Sequence, residues 1–389
     1  MLRNKDKGIT LIALVITIII LLILAGISIS ALTNQGLFKN AKAAQNATEK
    51  AEKEQGQRLN EYEDEINKYL GNSKDESKDD TKGTTVEEAI KKNGALSTTD
   101  NTELKDAKNN KIVVPAGFKI VEGATTVDKG IVIEDVTETA TKGSQFVWIP
   151  VGTITKADGM TTTITLGRYD FDSTTGKESA YSGSHIEEDA NDASTLKKWG
   201  NTIAKNITNF KNSVATNGGY YIGRYEARTV TARNAAGNAL TQITEKGTEN
   251  VYNYVTQLQA AQLSQNMYNS DKFTSDLMNS YAWDTATVFI QNCGTNSKYS
   301  RQNSLNTSLS QTGTNSLTDT SKTDVQCNIY DMASNIWEWT TETSGSSSYP
   351  SVNRGGHYLN SDICTSDRRN DSYLSYSDYL RGFRPLLYL

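Results

Sequence analysis

Histidine, cysteine and proline are scarce in this chain: its 389 residues hold two, three and four of them. Two histidines, His185 and His357, leave almost no room for a histidine-rich metal centre or a Ser-His-Asp triad. Three cysteines, Cys293, Cys327 and Cys364, are too few, and odd in number, for a disulfide framework. One bridge is open to them, and the sequence does not say which pair would form it. Beyond the first seven residues there is no basic block, and the formal net charge is −5, so nucleic acid is not expected as a partner. Glycine (28) and tyrosine (19) are plentiful by contrast, as are Asn, Ser and Thr. This composition suits a loop-rich extracellular domain of β or mixed class. The length allows two domains and a sizeable core.

One segment breaks the polar character. Residues 8–32, GITLIALVITIIILLILAGISISAL, carry no charge and follow a basic leader, MLRNKDK. At ~1.5 Å per residue, about two dozen helical residues span the ~30 Å hydrocarbon core of a bilayer. The run exceeds the ~7–15 residues of a secretory signal core. Leader, Gly8, Ile9 and the apolar run, in that order, resemble type IV pilins and pseudopilins. The resemblance implies prepilin peptidase cleavage between Gly8 and Ile9, N-methylation of Ile9, and other pilins or pseudopilins as partners. It departs at the fifth mature position, where that family usually has Glu and this chain has Ala13. This puts bulk polymerisation in doubt. The other reading of the segment is an uncleaved anchor.

Residues 37–70 are rich in Ala, Glu, Lys and Gln, and Leu59, Tyr62, Ile66 and Tyr69 recur at three- and four-residue spacing. They predict a stalk helix continuing the membrane segment over 9–70. Residues 71–85, polar and of mixed charge, predict a flexible linker. Residues 86–143 predict a strand-containing lead-in that opens with a short helix, and 144–389 the main domain. Within it, strands are expected at 146–152 and 218–228, and helices at 251–268 and 275–292, with Trp283 buried.

The main domain has motifs in a fixed order: FVWIPVG (146–152), YYIGRYEA (220–227), NIYDMASNIWEW (328–339), Arg354-Gly355-Gly356 and Gly382-Phe383-Arg384. Together they resemble the sulfatase-modifying-factor family, the formylglycine-generating-enzyme type of the C-type-lectin fold. The fold class expected is therefore α+β: a long N-terminal transmembrane helix, a linker, then a loop-rich lectin-type domain. Trp337 and Trp339 are expected in its core, and Arg354 and Arg384 paired or hydrogen-bonded inside loops.

The resemblance implies a calcium ion on the WEW stretch, held by the carboxylates of Asp331 and Glu338 and the carbonyls of Ser334 and Ile336; oxygen donors of this kind suit Ca²⁺. The alternative is a metal-free turn in which Asp331 and Glu338 accept backbone N–H groups. The family's oxidase holds copper on two cysteines just after its Arg-Gly-Gly, and thiolates suit that soft ion. This chain has one cysteine there, Cys364. Neither copper nor catalysis is expected.

Between His357 and Tyr379, 15 of 23 residues are Tyr, Ser, Asp or Asn, and none is Lys, Glu, Gln, Met or Trp. Tyrosine with small polar residues is the composition of binding surfaces. Random substitution of the adenines in Asn codons yields Tyr, Ser, Asp, His, Thr, Ile, Cys, Arg and Leu, and never those five absent types. The segment thus resembles the variable proteins of diversity-generating retroelements, which share this fold. The alternative is an ordinary polar loop region. His357, Tyr358, Asn360, Asp362, Asp367, Arg368, Arg369, Tyr373, Tyr376 and Tyr379 are the candidate contacts to a surface protein or glycan. The expected function is a non-catalytic, pilin-like binding protein on a bacterial cell surface, membrane-anchored or pilus-associated, with an extracellular C-terminal domain. A structural minor pseudopilin of a type IV pilus or type II secretion-like assembly is the second reading, and a formylglycine-generating-type oxidase the third.

Overall fold

Thr85 acts as a helix cap: its hydroxyl accepts the Glu88 N–H (3.3 Å), and its own N–H donates to Glu88 Oε2 (2.7 Å). This reciprocal capping box starts α1 (Val86–Lys92), whose Val86 and Ala89 are buried. The end of the predicted linker is thus already structural. The structure is a computed structural model. It describes residues 84–187, 206–237, 241–303, 324–344, 346, 348–360, 362–373 and 375–389. The expected leader with Gly8 and Ile9, the membrane and stalk helix, and most of the linker lie outside the described residues. Among the described residues no helix is long and apolar enough to cross a membrane.

The described chain is mixed α and β, mostly sheet, with four α-helices. Two larger sheets carry it. Their strands and the remaining helices run β1 (Phe118–Ile120), β2 (Val132–Asp135), β3 (Gln145–Pro150), β4 (Ile186–Glu187), α2 (Ile207–Asn217), β5 (Gly219–Gly223), α3 (Gln257–Gln265), β6 (Thr274–Leu277), α4 (Ser280–Cys293), β7 (Trp337–Thr343), β8 (Ser351–Arg354), β9 (Arg368–Ser372), β10 (Arg381–Phe383) and β11 (Pro385–Tyr388). The six-stranded antiparallel sheet has the order β6-β11-β5-β3-β2-β1. The five-stranded sheet has the order β4-β7-β8-β9, with β10 parallel to β7.

The apolar run at 146–149 has its reason in this layout. Phe146 and Trp148 pack into one core and Val147 and Ile149 into another. A strand covered on both faces reads as a continuous apolar run instead of alternating. Tyr220 and Tyr221 on β5, and Leu386 and Leu387 on β11, divide between the two cores in the same way. The lead-in expected over 86–143 supplies β1 and β2, which extend the same sheet through β3.

Both long helix expectations are corrected. The first begins only at Gln257. Val251 instead pairs with Arg228 in a two-stranded ribbon, Tyr254 has φ +53°, and Thr256 caps the helix with Gln259. The second expectation merges two elements. Residues 274–277 pair with β11, and the Asn279 side chain then caps α4 by accepting the Ala282 N–H at 2.8 Å. Trp283 is fully buried as expected.

Candidate functional site

Strands β7, β8 and β9 set the register of the site. Glu338 lies opposite Arg354, which lies opposite Arg368; Trp339 lies opposite Asn353, which lies opposite Arg369. Successive side chains of a strand point to opposite faces. One face is therefore charged and buried, and the other aromatic and partly open.

On the charged face, Glu342 accepts from Arg354 Nη1 (2.8 Å), Arg368 Nε (2.8 Å) and Arg168 Nη2 (2.7 Å). Asp284, from α4, accepts from Arg354 and Arg368 as well. Three guanidinium groups thus surround two carboxylates. Burial opposes ionisation of Glu342, but Arg354, Arg368 and Arg168 outweigh it and hold its pKa down at about 2. Arg368, expected as a ligand contact, is instead a member of this network, with a side chain 8% exposed.

On the other face, Arg381 sits over Trp337 with its guanidinium carbon 4.5 Å from the ring centroid, and 4.3 Å from that of Tyr376. His357 meets Trp337 edge-on at 4.3 Å. Burial, and then the charge of Arg381, depress the His357 pKa to about 4, so the ring is neutral at pH 7. This aromatic–cation ladder ends in open surface. Tyr373 and Tyr376 are exposed, and so are Tyr349 and Leu359. Tyr349 and Tyr373 pack at 4.9 Å, their hydroxyls 3.2 Å apart. Among the described residues, neither amide atom of buried Asn353, nor Trp337 Nε1, nor the Tyr358 hydroxyl has a hydrogen-bond partner. Buried polar groups left without partners are uncommon.

The remaining candidates divide. Asp362 and Arg369 are exposed, and Asn360 is half-buried, its side chain accepting the Asp362 N–H at 2.9 Å. Tyr358 is buried against Val251 and Ile336, with Tyr379 packed beside it. Asp367 accepts the Cys364 N–H at 2.9 Å and lines a separate cavity with Arg368. Tyr349, Leu359 and Arg381 are not among the expected site residues, and Trp337, expected in the core, is buried. The Ser-rich surroundings of Tyr349, from Ser344 to Ser351, were the available sign.

The expected calcium donors are all buried. Glu338 gives both carboxylate oxygens to Arg384, at 2.6 and 3.1 Å. Ser334 Oγ donates to Asp324 at 3.0 Å and reaches Asp331 at 3.3 Å. The Ile336 N–H donates to Glu226 at 3.2 Å. Among the described residues no group of three or more His, Cys, Asp or Glu side chains converges on a point that could hold a metal. Of the two carboxylates in the expected donor set, Glu338 is engaged by Arg384 and Asp331 lies beside the Ser334 hydroxyl. Cys364 is buried, with its sulfur 3.1 Å from Asn303 Oδ1, and burial raises its pKa.

No known family profile matches the chain, and no characterised protein matches it in sequence. Among solved structures, Treponema denticola variable protein 1 is similar: 14% identical, with 64% of this chain and 97% of that one covered, at a TM-score of 0.31. A likeness this distant carries no argument for fold or function.

Proposed function

We propose that this chain is a non-catalytic, pilin-like binding protein of the bacterial cell surface, whose lectin-type domain presents the tyrosine face as its ligand site. The observation that carries the reading is the set of exposed rings Tyr349, Tyr373 and Tyr376, with Tyr349 packed on Tyr373 and Tyr376 over Arg381 of the Trp337–Arg381 ladder. Tyrosine offers large contact area at low entropic cost, and a rigid cationic–aromatic base keeps such rings in place. The adenine-codon composition of 357–379 supports diversification of the contacts while the buried members hold the scaffold. The uncharged run at 8–32 supports the anchor.

The test is an array of glycans and purified surface proteins probed with the full chain in detergent. The expected result is a ligand whose binding falls at least tenfold when Tyr349, Tyr373 and Tyr376 are replaced by alanine, with melting unchanged. Binding that survives the triple replacement would move the site elsewhere. Sequencing the 3′ end of the gene across sister isolates tests diversification. Substitutions confined to Asn-type codons between Arg354 and Gly382 are expected, and scattered synonymous change would refute it.

A further inference from the structure

A second concave site opens on the Arg368 side of β9, away from the tyrosine face. It encloses about 280 Å³ and is lined by Asp170, Phe171, His185, Arg301, Ser366 and Asp367, together with Tyr181 and Arg368. Arg368 brings one edge of the Arg–carboxylate network to its wall. There Tyr181 lies under both Arg168 (4.4 Å) and Arg368 (4.1 Å), which fixes the ring.

The polar groups around this cavity fall into two sets with unused capacity. Arg301 has a half-buried guanidinium whose one ion pair among the described residues is with Asp367 Oδ1, at 4.0 Å, the limit of such a contact. No side-chain hydrogen bond ties Arg301 to the described residues, and the Ser366 hydroxyl has none either. The His185 N–H donates to the Tyr181 hydroxyl at 3.0 Å, and that hydroxyl is 3.0 Å from His185 Nδ1. In the tautomer whose Nδ1 carries no proton, the phenol gives its hydrogen to Nδ1. The ring proton of neutral His185 then sits on Nε2. Arg301, Ser366 and His185 are therefore donors. The second set accepts. Asp170 Oδ2 holds Ser182 through its N–H and hydroxyl, both at 2.8 Å, and Asp367 Oδ2 accepts the Cys364 N–H at 2.9 Å. The other oxygen of each carboxylate has no hydrogen bond from the described residues. Phe171 adds an apolar wall.

We propose that this cavity binds a small molecule carrying a carboxylate beside several hydrogen-bond donors, the chemistry shared by sugar acids and amino acids. Its carboxylate meets the fork of Arg301 with Ser366 and His185. Its hydroxyl or ammonium groups meet the Oδ1 atoms of Asp170 and Asp367, the latter shared with Arg301. A multivalent anion such as inorganic phosphate is repelled by those same two carboxylates. The volume admits one ring-sized molecule. The inference does not depend on the tyrosine face, and either site can fail alone.

Isothermal titration of the full chain in detergent tests it, with glucuronate, glycine, phenylalanine, acetate, glucose and inorganic phosphate as probes at millimolar concentration. Glucuronate or an amino acid is expected to bind about tenfold or more tighter than acetate, glucose or phosphate. Glucuronate alone assigns a sugar acid, and an amino acid alone assigns that class. Arg301→Gln should weaken the binding about tenfold with unchanged melting, and Asp170→Asn should remove the preference over acetate, while Arg369→Gln on the opposite face leaves both intact. Acetate or phosphate binding as tightly as the best probe would reduce the site to a simple anion contact and overturn the proposal. So would the absence of saturable binding by every probe, or full affinity in Arg301→Gln.

Discussion

Arg384 grips both carboxylate oxygens of Glu338, Nη2 to Oε1 at 2.6 Å and Nε to Oε2 at 3.1 Å. Arg384 is the residue between β10 and β11, and these strands belong to different sheets. Glu338 lies on β7. The pair therefore ties the end of the chain to the centre of the five-stranded sheet just where the backbone crosses to the six-stranded one. The same guanidinium donates to the carbonyls of Gly223 (2.9 Å) and Tyr330 (2.8 Å).

Removing one member leaves a buried, unpaired charge. Glu338→Ala is expected to destabilise the fold by about 3–5 kcal/mol, read by denaturant unfolding. A loss below about 1 kcal/mol would mean that water or another carboxylate replaces Glu338 easily, against its full burial.

Two positions of the same segment, Arg368 and Tyr373, should respond unequally to alanine. Arg368→Ala leaves Asp284 and Glu342 short of a partner and should cost about 3 kcal/mol of stability. Tyr373→Ala removes an exposed ring and should cost within about 0.5 kcal/mol. Differential scanning calorimetry of the two variants checks the contrast. Equal losses would show that Tyr373 is scaffold, and the binding face would then lose its best anchor.

Chelation gives a test of the WEW stretch. Because Glu338 is engaged by Arg384, prolonged dialysis against chelator is expected to leave melting unchanged. Bound calcium in elemental analysis, with earlier melting on its removal, would restore the cation site and require Arg384 to release Glu338.

Parts of this architecture are legible in the sequence and parts are not, for physical reasons. The run at 146–149 identifies a doubly covered strand because both its faces are apolar. That Arg354 and Arg384 each have polar partners follows from their motifs, but Arg354 lies on β8 and not in the expected loop. The roles of Arg368 and Arg369 do not follow, since neighbouring arginines on a strand face opposite sides and only the register of β8 with β9 says which side is buried. Tyr358 and Tyr373 likewise share composition but not burial. The helix boundaries at Gln257 and Ser280 were missed because the apolar spacing continues through Thr256 and Asn279, where side-chain caps and strand pairing override it.

Glu187 makes stability depend on pH in a way that one substitution isolates. Its carboxylate accepts the Ser280 N–H, and the Thr341 hydroxyl at 2.6 Å. Burial, and then the negative charge of Glu342, push its pKa from the ordinary 4.5 up to about 7. The native state therefore holds this proton across a window in which the unfolded chain has released it. Stability from this group is full below about pH 4.5, falls as pH rises, and levels off above about 7, a swing of about 3 kcal/mol. His357 acts in the opposite sense over much of the same range. Its pKa is depressed to about 4 from 6.5, so it loses stability as pH falls through that interval. The two slopes oppose each other in the wild type and hide the effect. Glu187→Gln cannot titrate, and it keeps an acceptor for Ser280. The stability difference, wild type minus variant, should fall by about 3 kcal/mol between pH 4.5 and 7.5, with His357 cancelling because both proteins contain it. Unfolding curves at five or six pH values measure this. A difference that stays flat would mean that Glu187 titrates as an ordinary carboxylate, and that Arg168 and the hydrogen bonds from Ser280 and Thr341 outweigh its burial.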